Sequence, residues 1–558
     1  MVVVGLGPWR SAGPRVARAV DAVRPAVLRS ARAARSAAPR VARLARATAP
    51  RLAGITAPGT WRYTAGAATA GLALAAGVVT AAGPWDSTGQ RTAERDRAVA
   101  QEHTGGADHG TGFGTGTGSG TGSGTAAGPP RPAPSAGSVL AGLGATTGTG
   151  RATGGTALTD VLSPLLKDSA LGARHAASVV DLTTGKRLYG TGTGAAFTPA
   201  STTKIATAVA ALTALGPDHR LTTRAALEPD TGELVLVGGG DPTLTARADP
   251  DGLASLRTLA TKTARALKKQ DVREVTLSYD TTLYAGSGAH PIGVNDNLAT
   301  VTALMADEAR TDDSTSGPAA RESDPAAAAA RTFAELLEQR GVKASAPGPS
   351  KATGRADTLA TVSSPPLSAL VERMLTNSDN DLAEALARHT ALASGKKADF
   401  KGGAAAITAR LKQLGLSVKG ADFHDGSGLD RADRLTAGLL TGLLATAADP
   451  DRPELRTVLT GLPVAGFTGT LSGRYTDDAD DSDDTGTTDD TVDTADAAGL
   501  VRAKTGTLTG VNTLAGTVVT QDGRVLGFAF LADGTTDAQA AQATLDRLAT
   551  ALADCGCR

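Results

Sequence analysis

The chain has 558 residues but only two cysteines, Cys555 and Cys557, and both lie at the C-terminus. With a single residue between them, a mutual disulfide would be strained, so we interpret them as part of an unstructured tail. The sequence thus predicts neither a disulfide framework nor a cysteine-bound zinc site. The seven histidines are scattered, and none stands in a His-Glu-x-x-His pair or a similar ligand spacing. We therefore expect no metal and no other cofactor, and a metallohydrolase is disfavoured.

Most of the chain also has no excess of basic over acidic residues. The formal net charge is zero, yet residues 1–62 hold twelve arginines and one acid, Asp21. The rest is consequently net acidic, which argues against a nucleic-acid partner for the folded part. Because residues 1–63 are rich in Arg, Ala and Pro and lack acidic partners for their arginines, we expect a disordered cytoplasmic tail that is at most weakly helical.

Residues 64–83 contain no charged side chain and are rich in Ala, Gly, Leu and Val. Twenty such residues are long enough to span the hydrocarbon core of a bilayer, and the arginine-rich flank should stay in the cytoplasm. We therefore predict a transmembrane signal-anchor at 64–83 that holds the rest of the chain outside the cytoplasm, at the cell membrane. Three alternatives remain: cleavage near Ala81-Ala82-Gly83, which would give a secreted protein, a wrongly assigned start site, and an alanine-rich soluble helix.

Composition also divides the chain after residue 83. Residues 84–155 carry repeated Gly-Thr and Gly-Ser units and a short proline-rich piece, which predict a flexible linker. Ten aspartates between 477 and 496 predict a disordered acidic loop at 476–498; a calcium site is the alternative, but the regular ligand spacing with a closing Glu is missing. The predicted globular parts are a catalytic domain, 156–220 and 361–555, and an inserted region, 221–360.

The order of the predicted elements indicates the fold class. Residues 176–189 predict a β-hairpin, and residues 499–531 predict three further strands before a closing helix at 537–553. Strands at both ends of a helical middle predict one antiparallel sheet, flanked by helices and built from both termini of the domain. Strand-like runs at 233–237 and 275–279, with a helix at 325–340, predict an α+β inserted region. The fold class is therefore α+β.

A helix start at residues 198–207 brings a hydroxyl and an amine together. Apolar residues recur at helical spacing from Ile205, and Gly216-Pro217 ends the pattern. Ser201 and Lys204 are three apart in the first turn, so their side chains share one face. This arrangement suits a serine nucleophile with a lysine base. On its own the spacing is weak, and a capped helix with a solvated lysine is the ordinary alternative.

Two further motifs follow in contexts that suit a cleft. Ser378-Asp379-Asn380 lies between two predicted amphipathic helices, and Lys504-Thr505-Gly506 lies on a predicted strand near the end of the domain. The three motifs, in this order, resemble those of penicillin-binding proteins and serine β-lactamases. In such a site Ser201 attacks a carbonyl and Lys204 takes its proton. Lys204 must be neutral for this, so we expect burial and the like charge of Lys504 to lower its pKa toward about 7–8.

The remaining motif residues receive roles from the same chemistry. Ser378 can relay a proton to the leaving amine, and Asn380 can hold the substrate amide and orient the lysine base. Lys504 and Thr505 offer a cation and a hydroxyl to a substrate carboxylate. Gly506 has no side chain, which would let a substrate lie against the strand. The backbone N–H groups of the nucleophilic serine and of Thr507 are the expected oxyanion donors.

Taken together, residues 155–555 resemble the low-molecular-mass class C penicillin-binding proteins, the D-alanyl-D-alanine carboxypeptidase/endopeptidase family. Two secondary motifs support the resemblance, residues 239–244 (Gly-Gly-Asp-Pro-Thr-Leu) and 425–430 (Asp-Gly-Ser-Gly-Leu-Asp), although both read from the residues alone as turns. The resemblance implies a penicillin-recognition, serine β-lactamase-like domain with further domains inserted between the first two motifs. It also implies a serine peptidase that cleaves the terminal D-Ala of peptidoglycan stem peptides, or D-amino-acid crosslinks, and that β-lactams inhibit by acylation.

Two other functions are compatible with parts of this pattern. A serine β-lactamase shares the fold and the motifs but needs an efficient deacylation water, often placed by a Glu after the second motif, and nothing after Asn380 clearly provides it. A non-catalytic wall-binding or penicillin-sensing module would have no use for a tuned lysine, so the intact set of Ser201, Lys204 and Lys504 argues against it.

Overall fold

The computed structural model describes residues 155–293, 295–476 and 493–555. The predicted tail (1–63), membrane span (64–83), nearly all of the linker (84–155) and most of the acidic loop lie outside these ranges. Within them, no helix has the length and apolar character needed to cross a membrane. The prediction of a signal-anchor therefore stays a prediction.

The described residues form eleven strands and ten α-helices. In chain order the strands are β1 (Arg174–Asp181), β2 (Arg187–Thr191), β3 (Thr222–Leu227), β4 (Glu233–Val237), β5 (Glu274–Asp280), β6 (Lys343–Ala344), β7 (Gly348–Pro349), β8 (Asp357–Ser363), β9 (Val501–Leu508), β10 (Val511–Val519) and β11 (Val525–Asp533). The helices are α1 (Gly155–Leu165), α2 (Thr203–Leu215), α3 (Leu256–Lys269), α4 (Pro325–Glu338), α5 (Leu367–Asn377), α6 (Asn380–Ala393), α7 (Phe400–Gln413), α8 (Ala437–Ala448), α9 (Thr457–Thr460) and α10 (Ala538–Ala553).

A sheet in the order β2-β1-β11-β10-β9 is antiparallel throughout. Helices cover both of its faces, so β10 and β11 are buried along almost their whole length. Ala529 and Leu531 pack toward the helices α2 and α5–α8, whereas Phe528 and Phe530 pack toward α1 and α10, as the two-residue period of a strand requires. Strand β9 forms one edge of this sheet, next to the start of α2.

A second sheet follows α2 in the chain. Its order is β6-β5-β4-β3-β8, with β7 also paired to β5. It is mixed, because β3 pairs antiparallel with β4 and β8 while β4 and β5 are parallel. Helices α3 and α4 cover it, and Phe333 and Leu259 lie in their shared core. The α+β class with an antiparallel sheet flanked by helices is thus confirmed.

Four helices were not predicted from the sequence: α1, α3, α7 and the short α9. Two of them, α3 and α7, carry a clear start signal. Each begins with a capping side chain: Ser255 accepts a hydrogen bond from the N–H of Thr258, and Asp399 accepts one from the N–H of Gly402. Such caps are a readable helix-start signal. In α3 the buried Leu256, Leu259 and Leu267 also follow helical spacing.

Two details near the C-terminus differ from the predictions. Residues 494–497, inside the predicted disordered loop, form a short 3-10 helix (Thr494–Ala497), and Ala497 is fully buried beside α10. Cys555, predicted to lie in an unstructured tail, is disulfide-bonded and packs against the same apolar core. The apolar face of α10 therefore orders both neighbouring segments.

Candidate active site

Ser201 lies in a 3-10 turn (Ala200–Thr202) that leads directly into α2. The preceding residue, Ala200, has a φ of 48°, a left-handed conformation that is sparsely populated for alanine. Its neighbours hold it there. Thr202 donates its hydroxyl to the carbonyl of Pro199 at 2.7 Å, and Thr513 on β10 donates to the same carbonyl at 2.9 Å. The sheet therefore fixes the turn that presents Ser201.

Lys204 is completely buried on the first turn of α2, and its amine has three oxygen neighbours. The Nζ atom lies 3.0 Å from Ser201 Oγ, and it donates to Asn380 Oδ1 at 2.7 Å and to the carbonyl of Ser427 at 2.8 Å. A neutral amine has two N–H bonds and one lone pair. With both N–H bonds satisfied by the two acceptors, the lone pair is left for the serine hydroxyl.

Burial lowers the pKa of Lys204 to about 8, while the negative charges of Asp425 and Glu384 act in the opposite direction. We expected Lys504 to contribute to this shift. The like-charge effect instead bears on the other lysine: burial, and then the charge of Lys204, lower the pKa of Lys504 well below its usual value. Burial alone accounts for the lowered pKa of Lys204.

The second motif occupies the junction between α5 and α6. Ser378 ends α5 in the left-handed region, with φ 57° and ψ 37°, and Asp379 caps α6 by accepting a hydrogen bond from the N–H of Leu382 at 2.9 Å. Asn380 is the first residue of α6; its Oδ1 faces Lys204, and its Nδ2 donates to the carbonyl of Asn297 at 2.8 Å. The tight junction therefore directs successive side chains to different neighbours.

The third motif lies on the edge strand β9. Lys504 is fully buried, and its Nζ donates to the carbonyl of Thr505 at 2.8 Å. The hydroxyl of Thr505 donates to that of Thr470 at 2.8 Å, and Thr507 lines the cleft that contains Ser201. An edge strand leaves alternate backbone N–H groups unpaired by the sheet, which is the arrangement that an oxyanion donor at Thr507 needs.

Gly506 has a packing role that was not predicted from the sequence. A Cβ at this position would lie 2.1 Å from Thr513 Oγ1 and 2.8 Å from the carbonyl oxygen of Pro199. The missing side chain thus makes room for the protein's own serine turn. Gly428 acts similarly from the other side, because its Cβ would lie 1.9 Å from the carbonyl oxygen of Ala200. These two glycines allow β9 and residues 425–430 to close on the nucleophile.

One cleft of about 250 Å³ brings the motifs together. It contains Ser201, Ser378, Asn380 and Thr507, while the two lysines are buried. The inserted region contributes one wall of the cleft that was not predicted from the sequence: Asn297, Arg310, Ser316, Gly317, Pro318 and Arg321. These residues lie in irregular loops between β5 and α4, where no periodicity or spacing marks them.

Residues 425–430, the fifth motif, form a loop behind Lys204. Glu384 Oε1 accepts hydrogen bonds from the N–H groups of Gly426 and Ser427, at 3.0 and 2.9 Å. This contact fixes the Ser427 carbonyl against the lysine. The same loop is held from inside by Asp425, whose carboxylate accepts from the N–H of Gly428 at 2.6 Å. The predicted turn thus supplies one of the two acceptors that orient the base.

Residues 239–244 form the expected turn, with Gly240 at φ 73°. Asp241 is buried and accepts hydrogen bonds from both the N–H and the hydroxyl of Thr243, at 2.9 and 2.6 Å. Burial raises the pKa of Asp241 to about 6. Gly239 leaves room for the neighbouring strand, because its Cβ would lie 2.1 Å from the carbonyl oxygen of Thr222.

Two groups of buried side chains in the described ranges have donor atoms close enough together to hold a metal ion: His290, Glu384 and Asp425, and Glu308, Asp379 and Asp381. In both groups most of the oxygens already have hydrogen-bond partners in the protein, although Glu384 Oε2 has none. His290 Nε2 lies 2.9 Å from Asp425 Oδ2, and Arg321 donates to Asp381 Oδ2 at 2.9 Å. Their chemistry is therefore that of hydrogen-bonded carboxylate networks.

A family model described as the D-Ala-D-Ala carboxypeptidase 3 (S13) family matches residues 158–315 and 294–554. A carboxypeptidase of Mycobacterium tuberculosis is 34% identical over 443 residues, covering 77% of this chain and 90% of that protein. A D-alanyl-D-alanine carboxypeptidase of an Actinomadura species is 29% identical over 489 residues, covering 72% of this chain and 85% of that protein.

Among solved structures, penicillin-binding protein 4 of Haemophilus influenzae matches with a TM-score of 0.55 and 20% identity, covering 70% of this chain and 97% of that one. A structure of the same protein complexed with a β-lactam matches with a TM-score of 0.52 and 22% identity, with the same coverage. This likeness shows the shared fold. The matched ranges of the family model include the serine turn, the α5–α6 junction and β9, and the chain therefore belongs to the D-Ala-D-Ala carboxypeptidase 3 (S13) family of serine peptidases.

Proposed function

We propose that this protein is a serine DD-peptidase that removes the terminal D-Ala from peptidoglycan stem peptides through an acyl-enzyme on Ser201. The observation that carries the proposal is the surroundings of Lys204 Nζ, 3.0 Å from Ser201 Oγ and oriented by Asn380 and the Ser427 carbonyl. This is the arrangement of a general base that is held ready for its nucleophile.

Acylation proceeds with a simple proton balance. Ser201 Oγ bonds to the carbonyl carbon of the penultimate residue while its proton passes to Lys204 Nζ. The carbonyl oxygen becomes an oxyanion, for which the backbone N–H groups of Ser201 and Thr507 are the proposed donors. As the C–N bond breaks, the leaving D-Ala amine takes up a proton through Ser378. A water molecule then attacks the ester, and Ser201 recovers its proton.

Substrate binding is proposed to use the third motif. Lys504 is buried with a strongly lowered pKa, and the like charge of Lys204 opposes its protonation. A free carboxylate at the end of a stem peptide would supply the missing negative charge and favour the protonated lysine. Recognition of a C-terminal carboxylate would thus be coupled to the charge state of the two lysines.

The test of this proposal uses the purified protein with a diacetyl-Lys-D-Ala-D-Ala peptide and a fluorescent penicillin. We expect release of D-Ala and a stable covalent adduct on Ser201, which mass spectrometry locates; Ser201→Ala should show neither. Rapid turnover of penicillin without a lasting adduct would indicate a β-lactamase. Absence of both D-Ala release and labelling would leave a binding module. Cross-linked muropeptides, tested in parallel, measure endopeptidase action by the same acyl-enzyme.

We also propose that the enzyme works outside the cytoplasm, held at the membrane by residues 64–83. The charge-free stretch and its arginine-rich flank support this orientation, and peptidoglycan is an extracytoplasmic substrate. Fractionation of cells that express the full chain tests it. Recovery with the membrane is expected, whereas a shortened protein in the medium would indicate cleavage and secretion.

A further inference from the structure

Glu308 is an inserted-region residue with an unusual backbone and a buried carboxylate. It lies in a run of three residues, Asp307, Glu308 and Ala309, with φ of 51°, 55° and 56°. Three consecutive non-glycine residues in the left-handed region persist only where the surroundings hold them. The Glu308 side chain is 2% exposed, although it lies in a loop.

The glycine turn and the residues after it hold this run in place. The N–H of Glu308 donates to the carbonyl of Pro242 at 2.9 Å, and the N–H of Asp307 donates to that of Leu244 at 2.7 Å. Thr245 donates its hydroxyl to Asp307 Oδ1 at 2.6 Å. The Gly-Gly-Asp-Pro-Thr-Leu motif, which has no place in the chemistry, thus acts as the anchor of Glu308.

The carboxylate of Glu308 faces the catalytic domain. It accepts hydrogen bonds from Arg310 Nε at 2.8 Å and from Arg373 Nη2 on α5 at 2.5 Å. One carboxylate oxygen from each of Glu308, Asp379 and Asp381 lies within 4.8 Å of the other two. At this separation ionised carboxylates repel one another, so a proton held by one of them lowers the cost of burying the group.

The distribution of charge assigns that proton to Asp379. Burial, and then the charge of Glu308, raise the pKa of Asp379 well above its usual value. Burial also acts to raise the pKa of Glu308, but hydrogen bonds from Asp379 and Arg373 bring it below its usual value. Of these two groups, Asp379 therefore holds a proton more strongly, and its hydroxyl can donate to the ionised carboxylate of Glu308.

We propose that Glu308 is a positioning residue for the peptidase reaction, because it holds the Ser378–Asn380 junction through Arg373, which pairs with both Glu308 and Asp379, and through its own closeness to Asp379. This inference rests on the proposed function. Asp379 is flanked by the proton relay Ser378 and by Asn380, which orients Lys204. A shift of its side chain would displace both neighbours, without Glu308 itself touching the substrate.

Several other charged groups face the proton on Asp379. From the inserted region these are Arg310 and Arg321, and from α5 it is Arg373; Asp381 on α6, Asp241 in the glycine turn and Lys204 on α2 complete the set. Each arginine has a carboxylate partner, so loss of the proton leaves one additional negative charge among them. As the pH rises, the repulsion between Asp379 and Glu308 should loosen the junction.

The second-order rate constant for acylation by fluorescent penicillin, measured between pH 6 and pH 10, tests this. Glu308→Ala should lower it at pH 7.5 by about 10- to 100-fold, the effect of a lost hydrogen bond to a charged group. Asp379→Asn keeps a donor toward Glu308 at every pH. Its ratio of rates at pH 9.5 and pH 7.5 should therefore exceed that of the wild type by about fivefold or more.

Two controls keep the result interpretable. Asp181→Asn removes a partly buried carboxylate that pairs with Arg524 at the opposite end of the sheet and should change neither the rate nor the profile. Glu308→Gln, a variant of the same size, covers the case in which Glu308→Ala does not fold. Equal rates in Glu308→Gln and wild type, or an unchanged alkaline profile in Asp379→Asn, would overturn the inference. A wild-type protein that penicillin does not acylate would instead overturn the proposed function.

Discussion

The ionisation of Lys204 makes the pH dependence of acylation predictable. Only the neutral amine can accept the Ser201 proton, and burial lowers the pKa of Lys204 to about 8. Because the base is inactive when protonated, the acylation rate should rise as the pH increases through this value. Raising the pH from 6 to 9 at constant ionic strength is therefore the perturbation.

The expected magnitude follows from the neutral fraction of Lys204. With a pKa of about 8, this fraction is roughly 1% at pH 6, 10% at pH 7, 50% at pH 8 and 90% at pH 9. The rate constant should thus increase about tenfold from pH 6 to pH 7, about fivefold from pH 7 to pH 8, and less than twofold above that. An unperturbed lysine would be almost fully protonated over the whole range.

A variant that removes one negative charge near Lys204 tests the same assignment independently. Glu384→Gln keeps the acceptor oxygen that holds Gly426 and Ser427 but removes a negative charge that favours protonated Lys204. The midpoint of the profile should fall, by about one pH unit for a buried charge at this range. Glu335→Gln, an exposed change on α4, is the matched control and should leave the midpoint where it is. A flat wild-type profile, or a midpoint near pH 10, would refute the assignment of Lys204 as the base.

Two further predictions concern the scaffold around the nucleophile. Gly506→Ala should reduce penicillin labelling at least about tenfold, because its Cβ would collide with Thr513 and with the carbonyl of Pro199; normal labelling would contradict the role given to this glycine. Arg388→Leu should destabilise the protein by about 3–5 kcal/mol, because it leaves the carboxylate of Glu384, 3.5 Å from Arg388 Nη1, buried without its counter-charge. Thermal unfolding at pH 8 checks the latter, and an unchanged melting temperature would contradict it.

Local patterns predicted the helices and strands that carry the chemistry. The helix after Ser201, its end at Gly216, the helix pair around Ser378 and the late hairpin are all present. Each depends on signals within about ten residues, such as apolar periodicity or a glycine stop. The family assignment is confirmed for the same reason, because its motifs are short and lie on these elements.

Such local signals could not predict the contacts between segments that are distant in the sequence. Nothing near Glu308 or Asn297 in the sequence indicates that they meet the α5–α6 junction. The close packing of Gly506 on Pro199 was not predicted because the two residues are more than three hundred positions apart in the sequence. The source of the pKa shift at Lys204 was likewise misassigned in part, since the depth of burial depends on the whole fold.

The strand order has a consequence for how the enzyme is made. Strand β11, the last to be synthesised, inserts between β10 and β1, the first. The amino-terminal hairpin can therefore pair with the rest of the sheet only after residue 533 has left the ribosome. Until then the edge of β1 and the apolar faces around it remain uncovered, so folding should be slow and dominated by contacts distant in sequence. Any truncation that removes β11 would leave the serine turn without the sheet that holds it, and acylation competence should appear only in chains that extend through this strand.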